Sequence, residues 1–237
     1  MKPHLLNILK RGSLLVLVVL FLQSCTKEDS LDYSKTDYSD QKYDLIEAKS
    51  SQYINPQLPI AIPLTEQNSI SVTFAENIPY GNFDENLFDI LIPSVPGNTE
   101  PVPLIIYIHG GGFEVGSKEV CYQPMWSGSW DFPTEIDTLL SEGIAFATIN
   151  YRLLADGDQD GVKKPLLDSK RCLQFIRKNS IPLGIDKNNI VLCGSSAGGG
   201  TSQWLAFQDD MADLSNPNPI FQESTRVKGI AVKATQA

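Results

Sequence analysis

Apolar residues along this chain fall into short blocks whose period changes from one block to the next. Over residues 70–74 apolar and polar positions alternate, the pattern of a strand with one buried face. Residues 87–92 predict a second strand, closed by Pro93. Leu104-Ile105-Ile106-Tyr107-Ile108 is apolar throughout, and residues 144–149 and 190–193 share that character. A strand without polar positions is buried on both faces, as in the middle of a parallel sheet. Between these blocks the spacing becomes helical. Pro133 opens one helix, since proline is tolerated in a first turn; Ile136, Leu139 and Leu140 form its apolar face and Gly143 closes it. Pro165 opens another, with Leu166, Leu173 and Ile176 on one side and Lys170, Arg171, Gln174 and Arg177 elsewhere. Residues 227–232 predict a further strand. Strands alternating with helices predict an α/β fold of βαβ units, a mostly parallel, doubly wound sheet with helices on both faces. No internal repeat and no second globular domain are visible.

The first residues follow another rule. Lys2, Lys10 and Arg11 precede an apolar run over residues 14–22 that falls short of the ~20 residues a membrane-spanning helix needs. A basic start, an apolar middle and small residues before a cut are the layout of a secretory signal, here residues 1–24. The run ends Leu22-Gln23-Ser24-Cys25, which resembles a bacterial lipobox, with Gln23 departing from the small or branched residue usual there. That resemblance implies a diacylated Cys25 as the mature N-terminus, and so an envelope protein anchored to the outer membrane by lipid. Lys27-Glu28-Asp29 reads either as a surface-export tag or as a solvated charged linker. Residues 25–57 are rich in Ser, Asp, Lys and Tyr without apolar periodicity and predict an acidic, flexible tether. Residues 58–237 are then the globular part, long enough to bury one sizeable core.

Composition narrows the partners. The 237 residues are 42% hydrophobic and carry a formal net charge of −9. Such a surface repels phosphates and argues against a nucleic-acid partner. With Cys25 lipidated, Cys121, Cys172 and Cys193 remain. Cys172 and Cys193 read as small core hydrophobes. Cys121 lies in a predicted loop, free to pair, but three cysteines define no disulfide framework and none has zinc-ligand spacing. No metal and no cofactor are implied.

Two motifs carry chemistry. Gly194-Ser195-Ser196-Ala197-Gly198 follows the apolar strand 190–193 and opens a predicted helix containing Trp204, Leu205 and Phe207. A nucleophilic serine on a sharp strand-to-helix turn stands clear of the backbone, and the strain of that turn demands small residues two positions to either side, here Gly194 and Gly198. The helix that follows aims its first amides, Ala197 among them, at the place where negative charge develops. The second motif is His109-Gly110-Gly111-Gly112-Phe113, directly after the apolar strand ending at Ile108. Glycines let backbone amides approach a ligand oxygen with no Cβ in the way. The spacing fits neither a GxGxxG nor a P-loop pattern.

From about Tyr80 to Gln236 the chain resembles the α/β-hydrolase carboxylesterases, both the hormone-sensitive-lipase-like and the type-B branches. His109-Gly110-Gly111-Gly112-Phe113 is similar to their oxyanion motif, Asn150-Tyr151-Arg152 to the close of their next strand, Gly184-Ile185-Asp186 to the approach to their nucleophile strand, and the segment around Ser196 to their nucleophile motif. The resemblance implies hydrolysis of a small-molecule carboxylic ester through an acyl-Ser196 intermediate, with the amides of Gly111, Gly112 and Ala197 as oxyanion hole. Gly110 and His109 would shape that loop. Arg152 reads as holding a carboxylate, Asp168 as an acid in the first turn of its helix, and Asp186 as a turn former. Trp126, Trp130 and Phe132 lie where such enzymes build their substrate pocket, and pack that loop or line that pocket.

The chain departs from the family at the base. In this fold the order is Ser, then Asp or Glu, then His. The two histidines are His4 and His109, so none follows Ser196; Asp209, Asp210, Asp213 and Glu223 do follow it, but one strand too early. A Ser–Lys pair with Lys228 or Lys233 is the remaining local arrangement. The family's last two strands, triad acid and triad His would come after Ala237. The expectation is therefore the N-terminal portion of a longer esterase with its C-terminal strands missing, or alternatively an inactive hydrolase-fold lipoprotein with a binding role or none.

Overall fold

The computed structural model describes residues 54–55, 70–123 and 132–234. The chain divides into two units, residues 1–36 and 37–237, and all described residues belong to the second. Cys25 and the signal segment lie outside the described residues, as do Trp126 and Trp130. No helix among the described residues is long and apolar enough to cross a membrane.

Seven strands form one sheet in the order β1-β2-β3-β5-β4-β6-β7. They are β1 (Ile54–Asn55), β2 (Ser71–Pro79), β3 (Leu87–Ser94), β4 (Val102–Ile108), β5 (Ala145–Ile149), β6 (Ile185–Ser195) and β7 (Gly229–Lys233). The four strands β5, β4, β6 and β7 run parallel, while β1, β2 and β3 add an antiparallel edge beside β5. Every residue of β5 is buried. Alternate residues of the central strands enter two separate cores. Leu104, Ile106 and Ile108 pack with Leu173, Ile176 and Leu205 on one face, and Tyr107 and Phe146 with Ile136 and Leu140 on the other. The covering helices are α1 (Phe132–Ser141) on the second face and α2 (Lys163–Lys178) with α4 (Ala197–Phe207) on the first; α3 (Ser180–Leu183) is a single turn ahead of β6. This is the doubly wound α/β arrangement expected from the apolar blocks.

Several local expectations need correction. Pro93 does not close its strand, because β3 runs on to Ser94 with Pro93 opposite Val72. Beyond Leu91 β3 has lost β5 as a partner and keeps only β2, an edge position of the kind where proline is tolerated. Ile54 and Asn55 fall inside the expected tether, yet pair with Ala75 and Phe74. Cys121 is a free, fully buried thiol in a short 3-10 helix, Lys118–Tyr122, and donates to Thr148 Oγ1 at 3.7 Å. Asp168 belongs to the second turn of its helix, which begins at Lys163 with no acid in its first turn. The residues of α2 set apart from its apolar side, Lys170, Arg171, Gln174 and Arg177, are all buried as well. The segment joining α4 to β7 folds over them. Gln174 Nε2 donates to the carbonyls of Phe221 (3.1 Å) and Glu223 (2.7 Å), and the Arg171 guanidinium sits 5.0 Å over the Phe221 ring.

Candidate active site

Strand β6 ends at Ser195 and helix α4 begins at Ala197, so Ser196 alone makes the turn. Its backbone has φ 52° and ψ −122°, a conformation that non-glycine residues avoid. Two hydrogen bonds hold it there. Ser196 N donates to the carbonyl of Lys233 at 3.0 Å, and its own carbonyl accepts the first helical bond from Gly200 N at 2.9 Å. The flanking glycines are required by contact. A Cβ on Gly194 would lie 2.6 Å from the Gly198 backbone, and one on Gly198 would lie 2.0 Å from the carbonyl oxygen of Ile108. The side chain of Ser196 is left exposed.

The glycine motif lies against this turn. Strand β4 ends at Ile108, and a Cβ on Gly110 would come 2.8 Å from the Ser195 carbonyl oxygen and 3.3 Å from Ser196 Cβ. The chain then reverses through Gly111 (φ 109°), Gly112 (φ 64°) and Phe113 (φ 68°). The Gly111 carbonyl accepts from the amides of Glu114 and Val115, both at 3.1 Å. Among the described residues no hydrogen bond uses the amides of Gly111, Gly112 or Ala197. The structure thus brings Gly110, at the start of the glycine run, against the Ser195–Ser196 turn.

His109 is locked away from the serine. Its Nδ1 lies 2.7 Å from the Gly110 carbonyl oxygen and so carries the proton, and its ring stacks on Tyr151 with centroids 4.2 Å apart. Burial pulls its pKa below the usual imidazole value, which keeps the ring neutral. Nε2 is buried without a partner among the described residues, so it does not take up the Ser196 hydroxyl. His109 shapes the loop, as expected. The Lys233 contact with Ser196 described above is made by its backbone carbonyl. The downstream acids build turns: Asp210 accepts from Thr225 N (2.8 Å) and Ser224 Oγ (2.7 Å), and Asp213 from Ser215. Asp186 likewise accepts from Asn188 N.

Arg152 pairs with Asp168, Nη2 donating to Oδ1 at 2.7 Å and Nε to Oδ2 at 2.9 Å. Asn86 Nδ2 adds a bond to the same carboxylate at 3.1 Å. Phe132, where a pocket wall was one expectation, opens α1 buried and meets Tyr107 edge-on at 4.9 Å. Burial pushes the Cys193 thiol up to about 12 and raises Cys121 and Cys172 as well, which disfavours the thiolate form.

Sequence reasoning missed a buried ionic cluster just beyond the glycine loop. Lys118 Nζ donates to Asp89 Oδ2 at 2.9 Å and to Glu119 Oε1 at 2.6 Å, with Lys118 2% and Asp89 1% exposed. Tyr122 OH and the Asn77 amide also donate to Asp89, at 2.9 and 2.7 Å. Burial pushes the Asp89 carboxyl up against the pull of Lys118. Burial alone would lower Lys118, but the two carboxylates outweigh it and hold its pKa above the usual lysine value. The one signal available was an acid inside the otherwise apolar run 87–92.

Residues 88–236 match the BD-FAE family model. The chain belongs to the BD-FAE family. Its fold is that of the α/β-hydrolases, shared with esterase 2 of Thermogutta terrifontis in its butyrate-bound form. The two align with a TM-score of 0.51 and 19% identity over 73% of this chain and 57% of that one. Among curated relatives, esterase B1 of Culex pipiens is 29% identical over 134 residues, which is 53% of this chain and 23% of that protein. Para-nitrobenzyl esterase of Bacillus subtilis (strain 168) is 27% identical over 139 residues, 55% of this chain and 26% of that protein. This BD-FAE chain therefore spans about a quarter of the length of these relatives.

Proposed function

We propose that this chain carries the nucleophile and oxyanion hole of a serine carboxylic-ester hydrolase. One observation carries the reading: an exposed serine held at φ 52° on a strand-to-helix turn, with a glycine loop packed directly against it. On this reading the Ser196 hydroxyl attacks the ester carbonyl. The developing oxyanion takes hydrogen bonds from the amides of Gly111, Gly112 and Ala197, aided by the positive end of α4. Loss of the alcohol leaves acyl-Ser196, which water hydrolyses. A serine needs a base to remove its proton. No histidine follows Ser196 in the sequence and His109 is locked elsewhere, so the serine has no histidine base among these residues.

A fluorophosphonate probe tests this. Labelling of the wild-type chain but not of Ser196→Ala would establish an activated serine. Absence of labelling in the wild type would sink the claim that the chain is active by itself, and would favour the second reading, an inactive hydrolase-fold lipoprotein. The missing histidine is the observation behind that alternative.

We also propose the lipid anchor at Cys25, on the signal-like residues 1–24 and the lipobox-like end of the run. The protein made in a bacterial host is expected to enter the detergent phase of Triton X-114, and Cys25→Ala to stay in the aqueous phase. Equal partitioning of the two would reject the anchor.

A further inference from the structure

We propose that Tyr151 is a positioning residue that fixes the direction of the oxyanion-loop amides. The proposal rests on the esterase reading for its purpose, but its geometry stands apart from it. Strand β5 ends at Ile149, and the residues that follow run alongside the glycine loop. The Tyr151 hydroxyl, 1% exposed, donates to the His109 carbonyl at 2.8 Å and lies 3.5 Å from the Gly110 carbonyl oxygen. Its ring is the surface on which His109 stacks, and it meets Phe113 edge-on at 6.0 Å. His109 Nδ1 in turn donates to the Gly110 carbonyl.

Planarity converts these bonds into an aim. In a trans peptide the carbonyl and the following N–H point in opposite directions. Turning the His109 and Gly110 carbonyls toward Tyr151 and His109 therefore turns the amides of Gly110 and Gly111 the other way. Those two peptides are the ones packed on Ser195 and Ser196. Glycines have almost no intrinsic preference to hold such an orientation, so an external fastening must supply it.

Neighbours fasten Tyr151 itself. Asn150 Oδ1 accepts the Lys118 amide at 2.6 Å beyond the exit of the loop, and the Asn150 carbonyl accepts from Tyr80 OH at 2.6 Å. Leu154 N donates to the Phe113 carbonyl at 2.8 Å, gripping the middle of the loop. Arg152 is fixed to the buried Asp168. The strip 150–154 thus touches the start, middle and far end of the segment 109–118.

The test is Tyr151→Phe, which keeps the ring and removes the hydroxyl, with Tyr151→Leu removing both. In the full chain, hydrogen exchange of the Glu114, Val115 and Leu154 amides, which bond to the Gly111 and Phe113 carbonyls, is expected to quicken about ten-fold in Tyr151→Phe, and more in Tyr151→Leu. Exchange in β4 and β6 should stay at the wild-type rate. Unchanged exchange at Glu114, Val115 and Leu154, or an equal increase everywhere, would overturn the proposal, the latter revealing a merely structural residue. Where ester turnover is measurable, kcat should fall about ten-fold at nearly constant KM, short of the ~10²–10³ that losing a whole oxyanion donor costs. Faster loop exchange in a chain whose wild type turns over no ester would leave the fastening in place and remove the esterase reading instead.

Discussion

Replacing Ser196 with glycine is expected to remove any fluorophosphonate labelling and to make the chain more stable by about 1 kcal/mol. Both effects come from one residue. A side chain at φ 52°, ψ −122° costs ~1–3 kcal/mol, and glycine removes that strain. Against this, glycine gives the unfolded chain more freedom, a loss of ~0.5–1 kcal/mol. No described group hydrogen-bonds to the Ser196 hydroxyl, and the side chain is exposed, so its removal leaves no cavity. The gain should appear as a higher urea midpoint with an unchanged m-value. Ser196→Ala separates the causes, since alanine loses the hydroxyl and keeps the strain; it should resemble wild type in stability. A Ser196→Gly chain no more stable than Ser196→Ala would mean that the turn stores no strain.

The largest loss of stability is expected at the buried ionic cluster. Lys118→Met leaves Asp89 without its cation and should cost about 3–5 kcal/mol, as breaking a buried pair from one side does. Asp89 keeps the Asn77 amide and Tyr122 hydroxyl, which argues for the lower part of that range. Asp89→Leu should be comparably harmful, because it strands the Lys118 ammonium with only the half-exposed Glu119. The double variant, Asp89→Leu with Lys118→Met, should lose clearly less than the sum of the two. A double-mutant cycle by urea unfolding measures that coupling. Simple additivity would show that Asp89 and Lys118 do not act as a pair.

The parts of the site that were legible in the sequence are those set by neighbouring residues. The elbow is local: an apolar strand, a serine between glycines two positions away, then a helix. The glycine loop is local as well, a run directly after a buried strand. The sheet was legible because burial on both faces erases polar positions from β4 and β5. What escaped depends on distant partners. Nothing in 163–178 announces that 208–228 will cover Lys170, Arg171, Gln174 and Arg177 and accept hydrogen bonds from that side of α2. The Asp89–Lys118 pair joins a strand to a 3-10 helix through side chains with no shared period. Tyr151 entered as part of a family motif, and only its hydroxyl's contact with the His109 carbonyl gave it a task. Ile54 and Asn55 were assigned to a tether because two residues are too few for a strand to show a period.

The hydrogen bond from the Ser196 amide to Lys233 also bears on the order of events during synthesis. A growing chain completes β6, the serine turn and α4 well before β7 is made. Until residue 233 has been made and docks beside Ser195, nothing accepts that amide, and the strained turn lacks one of its two fastenings. Closing a parallel crossover is slow compared with forming a local turn. The serine is therefore set in its strained posture late. A nascent or partly unfolded chain presents an ordinary, relaxed serine.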